Sequence, residues 1–233
     1  MQERSQNTRR AIVRAAAELF SRDGYHVTTI TQISKRAGVT TGALYFHFES
    51  KEAIAQFIVG EQHRLSTALA SEILAANYSA VNTLTELSAA LGARILEDPV
   101  VRAGMSLSTE TLLLNEIYRQ PWLDWIAIVG ELLSRGMQEG DVRDDIDVMT
   151  FAQLIGPAFS GVRIASDVLH GYSDLLDRLR DLSLALIPAF APDGRKEAIL
   201  DDAAAIFERR MREGAEERGP ALDESPADSG LRA

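Results

Sequence analysis

TTITQISKRAGVTTGALYFHFESKEA, residues 28–53, is the stretch of this sequence that decides the fold. Thr29 and Gln32 have the spacing of a capping box at the start of a helix. The apolar residues that follow at helical intervals predict about two turns before Gly38 ends them. A second short helix can begin at Thr40. Two short helices joined by a turn that contains a glycine are typical of the helix-turn-helix unit.

The second helix of such a unit enters the major groove of DNA and presents its N-terminal residues to the base edges, while the first helix crosses the backbone. Threonine hydroxyls can bond bases or phosphates, small residues allow close approach, and a tyrosine hydroxyl can reach a phosphate. The candidate DNA-contacting residues are therefore Thr28, Thr40, Thr41, Gly42, Ala43, Tyr45, His47 and Lys51. Helix pairs of this kind also occur as plain packing units, and the spacing alone leaves that alternative open.

Charge is unevenly distributed along the chain. Residues 1–51 contain eight basic and four acidic side chains, a net charge of +4, whereas the whole chain carries −10, so that the rest carries −14. A basic head on an acidic body favours an anionic partner that meets one end only, since an acidic protein as a whole is repelled from a polyanion. A chance cluster of basic residues on a solvated face is the alternative. Together with the paired helices, the charge favours double-stranded DNA as the partner.

The residues from Ala37 to Glu52 also resemble a known family. They meet every fixed position of the pattern A-G-V-[ST]-x-G-x-[LI]-Y-x-H-F-x-x-K-[ED], which is the signature of the DNA-binding head of TetR-type repressors. The resemblance implies a three-helix head in which Thr40, Thr41 and Gly42 read the groove floor. The chain departs from its relatives at Thr41, where they often carry a basic residue, which puts one phosphate or guanine contact in doubt.

The same resemblance implies roles for the other residues of the head. Four of them are expected to hold the DNA backbone: Thr28, Tyr45, His47 and Lys51. Four are expected to pack the helices together: Ala37, Val39, Leu44 and Phe48. His47 stays open between the two roles, because it lies near the start of the fourth helix and can pack there instead.

Apolar residues recur at helical intervals along the rest of the chain, and nowhere in the alternation expected of strands, which predicts an all-α protein. Glycine and proline pairs mark the helix boundaries. After a long fourth helix capped by Ser50, helices are predicted near residues 80–97, 101–116, 121–139, 147–170, 173–190 and 195–213. The predicted domains are a helix-turn-helix head (1–50), a larger helical ligand-binding and dimerisation domain (51–213) and a disordered tail rich in Glu, Asp, Pro, Gly and Ser (214–233).

One stretch of the body, LLLNEIYRQPWLDW (residues 112–125), resembles the γ-butyrolactone autoregulator receptors of filamentous actinobacteria. In that subfamily the tryptophan that lines the pocket over the lactone matches Trp125 and not Trp122. The resemblance also implies a polar anchor for the lactone carbonyl at Gln62. The alternatives are a core tryptophan at Trp125 and a solvated amide at Gln62. Two further residues are candidates for lining the same cavity: Phe159 and Ser160.

These resemblances imply a ligand-responsive transcriptional repressor that a γ-butyrolactone-type signal, a small apolar molecule, releases from DNA, and that controls secondary metabolism. A sensor of another small apolar molecule, such as an antibiotic or its precursor, is the alternative within the same class. A nucleoid-type DNA binder that responds to no ligand and an enzyme with an accessory helical head are the alternatives from other classes.

One short recognition helix contacts only a few base pairs, so a specific repressor needs two copies. A two-fold homodimer reads an inverted repeat with its recognition helices roughly 34–36 Å apart. In TetR-type bodies the last two large helices form the interface, here residues 147–170 and 173–190. The apolar candidates for that interface are Leu154, Ile155, Phe159, Val162, Leu179, Leu182 and Leu186. The sequence leaves open whether one dimer or two bind each operator.

The sequence contains no cysteine, which excludes thiolate chemistry and fits a reducing cytoplasm. Its histidines show no metal-ligand spacing, and the aspartates of residues 141–147 lack the glycine and glutamate of a calcium loop, so we expect no metal and no cofactor. Motifs for nucleophilic catalysis are absent, so we expect no enzyme. No apolar run reaches the roughly 18 residues of a membrane span and no signal sequence is visible, so we expect a cytoplasmic protein without a membrane partner.

Overall fold

The computed structural model describes residues 2–110 and 116–218 of the chain. Within this part the regular secondary structure is helical, which confirms the predicted all-α class. In chain order the helices are α1 (Gln2–Asp23), α2 (Ile30–Ala37), α3 (Thr41–His47), α4 (Lys51–Ala75), α5 (Ala80–Glu97), α6 (Pro99–Glu110), α7 (Glu116–Glu139), α8 (Val148–His170), α9 (Leu175–Phe190) and α10 (Lys196–Arg218).

The short helices of the head begin and end where local hydrogen bonds dictate. Thr29 and Gln32 form the predicted capping box at the start of α2, and Gly38 closes α2 with a left-handed backbone, φ 67°. Thr40 caps α3 by accepting a hydrogen bond from the amide of Ala43. Partners within four positions of each other therefore determine the turn between α2 and α3.

The apolar core of the head continues beyond the predicted domain boundary at residue 50. It takes in Ile54 and Ile58 of α4 and Leu107 of α6. The four residues predicted to pack the head lie in this cluster or against it: Ala37, Val39, Leu44 and Phe48. The first half of α4 and the middle of α6 therefore belong to the head and to the body at once.

The body is a helical bundle around three further apolar clusters. Helix α5 packs against α4, α6, α7, α9 and α10, and α8 packs against α7 and α9. On the outside, α10 is tied to α5 by Glu86, a buried carboxylate that bonds the guanidinium groups of Arg209 and Arg210. Two cations compensate this buried charge. Without such pairing, the desolvation of a buried carboxylate would destabilise the fold.

One predicted helix boundary is wrong. Pro121 predicts the start of a helix, yet α7 begins at Glu116 and continues through Pro121. A proline removes one backbone hydrogen bond and strains one turn, and the packing of α7 against α5 and α8 outweighs that local cost. By contrast, Pro99 is the first residue of α6, the position at which proline is favoured.

The end of α10 also differs from the prediction. The helix continues to Arg218, so residues 214–218 are helical and are not part of a disordered tail. The remainder of the predicted tail, residues 219–233, lies outside the described residues. Residues 112–115 of the stretch that resembles the lactone receptors lie outside them too.

Among the described residues, one helix, α8, is long and apolar enough to cross a membrane by length and composition. Its inner side carries Arg163, which is buried and donates to the hydroxyls of Ser106 and Tyr172 at 3.2 and 3.1 Å. Its outer side carries exposed apolar residues, among them Val168. The high apolar content of α8 therefore comes from two apolar faces, of which one lies outside the bundle.

Candidate functional site

The exposed face of α3 is the candidate DNA-reading surface. Thr40, Thr41 and Gly42 at the start of the helix are exposed, and Ala43 is half-buried. A Cβ added to Gly42 would meet nothing nearer than the Thr40 hydroxyl oxygen, at 4.0 Å, so the backbone is open to close approach here. Four predicted contact residues therefore lie together at the helix start, the part of a recognition helix that faces base edges.

One turn further along α3, Tyr45 is exposed and His47 is half-buried. Between them, Phe46 is the most exposed of the large apolar side chains described, with 83% of its surface free. The rings of Phe46 and His47 meet edge to face, with their centres 5.3 Å apart. The sequence patterns singled out both neighbours and missed Phe46, although its spacing of four from Gly42 places it on the same helix face.

Thr28 does not fit its predicted role as a phosphate contact. Its side chain is 1% exposed, and its hydroxyl donates to the carbonyl oxygen of Gly24 at 2.8 Å, with that of Leu19 at 3.5 Å. A buried hydroxyl that bonds the end of α1 cannot reach DNA. The N-cap of α2 is the next residue, Thr29, which is exposed.

Lys51 is likewise directed into the head and not toward DNA. Its Nζ donates to the carbonyl oxygens of Tyr25 at 2.7 Å and Thr28 at 2.9 Å, with that of His26 at 3.4 Å. It also lies 4.3 Å from the centre of the Tyr25 ring. An ammonium group has three N–H donors, and these carbonyls take them. Lys51 therefore holds the turn between α1 and α2, and the predicted phosphate contact is wrong for this arrangement.

An ion pair ties α2 to α1 beside the same surface. The guanidinium of Arg36 donates to Glu18 Oε2 at 2.7 and 2.9 Å. This hydrogen bond lowers the pKa of Glu18 by more than burial raises it, and a bond from Arg14 lowers the pKa further. Part of the positive charge of the head is therefore neutralised within the head.

The second candidate site is an apolar cavity of about 140 Å³ inside the body. This is roughly ten times the room that one water molecule needs, so a small organic molecule can occupy it. Leucine, isoleucine and valine side chains from α5, α7, α8 and α9 make up much of the wall. The structure brings all four predicted ligand-site residues together in this wall: Gln62, Trp125, Phe159 and Ser160.

Gln62 is the residue of α4 in the cavity wall, and 3% of its surface is exposed. Its Nε2 donates to Ser66 Oγ at 2.9 Å, which orients the amide. A primary amide carries two N–H groups, and Ser66 takes one of them. Gln62 is therefore a buried polar group at the cavity and not a solvated amide.

The cavity also contains residues that the sequence did not predict. Trp122 lines it together with Trp125, because residues three apart on a helix share a face. Five hydroxyl residues line it as well: Thr85, Ser88, Ser108, Thr109 and Ser183. They come from three different helices, and no spacing along the chain could have indicated that they meet.

The cavity meets the head where α4 and α6 cross. Gly104 of α6 packs directly on Gln62: a Cβ at position 104 would lie 2.3 Å from Gln62 Cβ and 3.2 Å from the carbonyl oxygen of Ile58. Only glycine permits so close an approach of two helices. Ile58 and Leu107 on these helices belong to the core of the head, so the two helices that meet at Gln62 also form part of that core.

Most of the apolar residues predicted for a dimer interface face the interior of the body. Six of the seven line the cavity or pack against a core cluster: Ile155, Phe159, Val162, Leu179, Leu182 and Leu186. The seventh, Leu154, is exposed. The outward face of α8 carries other apolar residues with it: Ile164, Val168 and Leu169. Helical periodicity could not distinguish these faces, because both are apolar.

A helix-turn-helix head on a helical body with an internal apolar cavity defines a class, the DNA-binding regulators whose body accepts a small molecule. Residues 12–57 match the model of the tetR family of bacterial regulatory proteins, and residues 78–192 match that of the tetracyclin repressor-like C-terminal domain. The chain belongs to the TetR family of bacterial regulatory proteins. It is therefore a DNA-binding transcription regulator and not an enzyme.

Within that family the chain is similar to two receptors and to a regulator whose structure includes its operator. It is 35% identical to the A-factor receptor protein of Streptomyces griseus over 99% of this chain and 84% of that protein. A crystal structure of a γ-butyrolactone receptor, an ArpA-like protein, matches with a TM-score of 0.79 and 32% identity over 88% of this chain and 99% of that one. CprB from Streptomyces coelicolor, in complex with its operator sequence, matches with a TM-score of 0.74 and 32% identity over the same shares.

Proposed function

We propose that this protein is a transcriptional repressor that binds an inverted-repeat operator as a two-fold dimer and leaves it when a γ-butyrolactone-type signal enters the cavity of the body. The observation that carries the proposal is the position of Gln62, which lies in the cavity wall and on α4, whose first half is part of the head. A ligand in the cavity therefore acts on a helix that holds the DNA-reading surface. The proposal places the protein in the cytoplasm, in the control of secondary metabolism.

The ligand class follows from the cavity wall. Two indole rings and many aliphatic side chains favour a compact apolar molecule, and the amide of Gln62 can donate a hydrogen bond to one carbonyl oxygen. A γ-butyrolactone with an aliphatic chain has this composition, with one polar ring and one apolar tail. The similarity to the A-factor receptor protein and to γ-butyrolactone receptors supports the same class.

Release operates as a shift between two populations of the dimer. In one, the two heads are spaced for successive turns of the major groove; in the other, α4 and α6 are displaced by the ligand and the heads miss the grooves. Gly104 packs closely on Gln62, and through this contact we expect the two helices to move together. A ligand that prefers the second population by about 2–3 kcal/mol weakens operator binding about 30- to 150-fold.

Replacing Trp125 by alanine is expected to preserve operator binding within a few fold and to abolish release by the ligand, since the indole lines the cavity and lies on α7, outside the head. The measurement is a gel shift with an operator duplex from the protein's own promoter, titrated with a synthetic γ-butyrolactone that carries an aliphatic chain. Leu123→Ala, an exposed position on the same helix, is the control and should respond as wild type does. Lost operator binding in a Trp125→Ala protein of unchanged circular dichroism would contradict the cavity role.

The same titration distinguishes the ligand classes. Release by an antibiotic or its precursor, with no response to the lactone, would favour the alternative sensor within this class. An operator complex that no such molecule dissociates would favour a regulator that does not respond to ligands of this kind.

The outward face of α8 supports the dimer. Leu154, Ile164 and Val168 are exposed at helical intervals, and the exposed Pro157 and Gly161 lie between them. The small side chain at Gly161 lets a second helix approach closely, and a continuous apolar stripe of this kind marks an association surface. Pairing of α8 with its two-fold copy would bury the stripe. A footprint that protects one inverted repeat or two would show whether one dimer or two bind.

Leu154→Glu is expected to yield a monomer and to weaken operator binding at least a hundredfold, because the carboxylate would be buried in the stripe and a single head contacts only half of the repeat. Sedimentation velocity and a gel shift measure the two effects. Leu123→Glu places the same charge on an exposed position of α7 and should leave the dimer intact. A Leu154→Glu protein with the mass of a dimer would place the interface elsewhere.

A further inference from the structure

We propose that Phe46 reads the C5-methyl group of a thymine in the operator and so helps to set the operator sequence. The inference rests on the proposed operator binding and adds a specificity-determining residue to it. Neither the sequence patterns nor the family signature assigns this residue a role, since position 46 is one of the variable positions of the signature.

The exposure of Phe46 is the first observation. Phe46 is 83% exposed, whereas the apolar residues two positions before and after it, Leu44 and Phe48, are buried in the core of the head. Single exposed apolar side chains are common and need no explanation on their own. The location gives this one its significance, because Phe46 lies on the face of α3 that also exposes Gly42 at the start of the helix.

The surface beside Phe46 is the second observation. Gly42 lies one turn earlier on the same face, and residues four apart are neighbours on a helix surface. A Cβ added to Gly42 would meet only the Thr40 hydroxyl oxygen, at 4.0 Å, so the space there is open. The helix surface one turn before Phe46 is therefore open to a small group from DNA. An apolar side chain next to this open position favours an apolar occupant.

The orientation of the ring is the third observation. The rings of Phe46 and His47 are 5.3 Å apart between centres, with their planes at 87°, which is a favoured aromatic geometry. This contact favours one orientation of the Phe46 ring in the free protein. Binding therefore loses less side-chain freedom at this position than it would for a ring without a partner.

The chemistry of the groove identifies the occupant. Base edges in the major groove present hydrogen-bond donors and acceptors together with one methyl group, that of thymine. A phenyl ring forms no ordinary hydrogen bond, so the thymine methyl is the base-edge group that Phe46 can recognise by contact. Its neighbour Tyr45 carries a hydroxyl that can bond a phosphate. In this proposal Phe46 contacts a base, and the adjacent Tyr45 contacts the DNA backbone.

The test replaces single methyl groups in the DNA. The probe is an inverted-repeat duplex that the full-length protein selects from random-sequence DNA, and each thymine is replaced by uracil at symmetric positions of both half-sites. We expect one pair of positions at which uracil weakens wild-type binding about fourfold per half-site, the worth of one buried methyl group, and about 15-fold for the dimer. Phe46→Ala should bind the thymine and uracil duplexes equally.

Two variants serve as controls. Val27→Ala removes another exposed apolar side chain of the head, outside α3, and should keep the wild-type preference for thymine. Phe46→Leu keeps an apolar contact and should retain part of the preference. Wild-type binding that is indifferent to uracil at every thymine would overturn the inference, as would a Phe46→Ala protein with an undiminished preference for thymine at the same positions. A selection that yields no inverted repeat would overturn the operator binding itself, so the two failures are distinguishable.

Discussion

A Gly104→Ala protein should melt about 2–12 °C below wild type and bind the operator at least tenfold more weakly. The added Cβ would lie 2.3 Å from Gln62 Cβ, an atom fixed to the backbone of α4, so that α4 and α6 must separate. Overpacking of this kind costs about 1–3 kcal/mol, and each kcal/mol lowers the melting temperature of a chain of this size by about 2–4 °C. Both helices contribute to the core of the head, so the separation also disturbs the DNA-reading surface. Thermal denaturation and a gel shift measure the two effects.

Gly60→Ala is the matched control for this prediction. Gly60 lies on α4, is exposed, and has nothing within 4 Å of an added Cβ. Alanine in an open helical position stabilises a helix by up to about 1 kcal/mol relative to glycine, so this variant should melt at or above the wild-type temperature and bind DNA equally well. If Gly104→Ala behaved in the same way as Gly60→Ala, the crossing of α4 and α6 would not be the path from cavity to head.

Lys51→Met should lower the stability of the protein by about 2–3 kcal/mol, since charged hydrogen bonds from Nζ to the carbonyls of Tyr25 and Thr28 are lost. Operator affinity should fall with it, because these bonds hold the turn that leads into α2. The salt dependence distinguishes this structural role from a phosphate contact. A direct contact contributes about 0.9 to the slope of log K against log salt in each half-site, whereas the structural role leaves the slope of Lys51→Met equal to that of wild type.

Lys35→Met is the control for the removal of a lysine from the head. Lys35 is exposed on α2, so its loss should change the stability by no more than about 0.5 kcal/mol. Denaturant unfolding measures stability, and gel shifts at several salt concentrations measure the slope. A Lys51→Met protein of wild-type stability with a shallower slope would restore the phosphate contact that the family signature implies.

The head is the part of the protein that the sequence predicts best. The capping box of Thr29 and Gln32, the left-handed Gly38 and the caps at Thr40 and Ser50 all involve partners within four positions along the chain. Such interactions depend little on the rest of the fold, so the pattern of residue types is enough to indicate them. The order of exposed and buried positions on α3 follows from the helical periodicity of its apolar residues.

The cavity was predictable only through resemblance. Gln62, Trp125 and Phe159 lie on α4, α7 and α8, and no spacing along the chain indicates that these helices enclose one space. The resemblance indicated Trp125 alone, and the helix brings Trp122 to the same wall as well. The sequence did not indicate the close helix crossing at Gly104, because the role of a glycine within a helix depends on which helix packs against it.

By itself, the sequence determined the all-α class, the ends of the short helices and the face of α3 that meets solvent, because all of these depend on hydrogen bonds and periodicity between near neighbours. The tertiary structure decided the orientation of Thr28 and Lys51, since the carbonyls that Lys51 bonds lie on a turn more than twenty residues earlier. It also decided which apolar face of α8 is inside. Both faces satisfy the helical pattern, and only the packing of α7 and α9 against one of them buries it and leaves the other exposed.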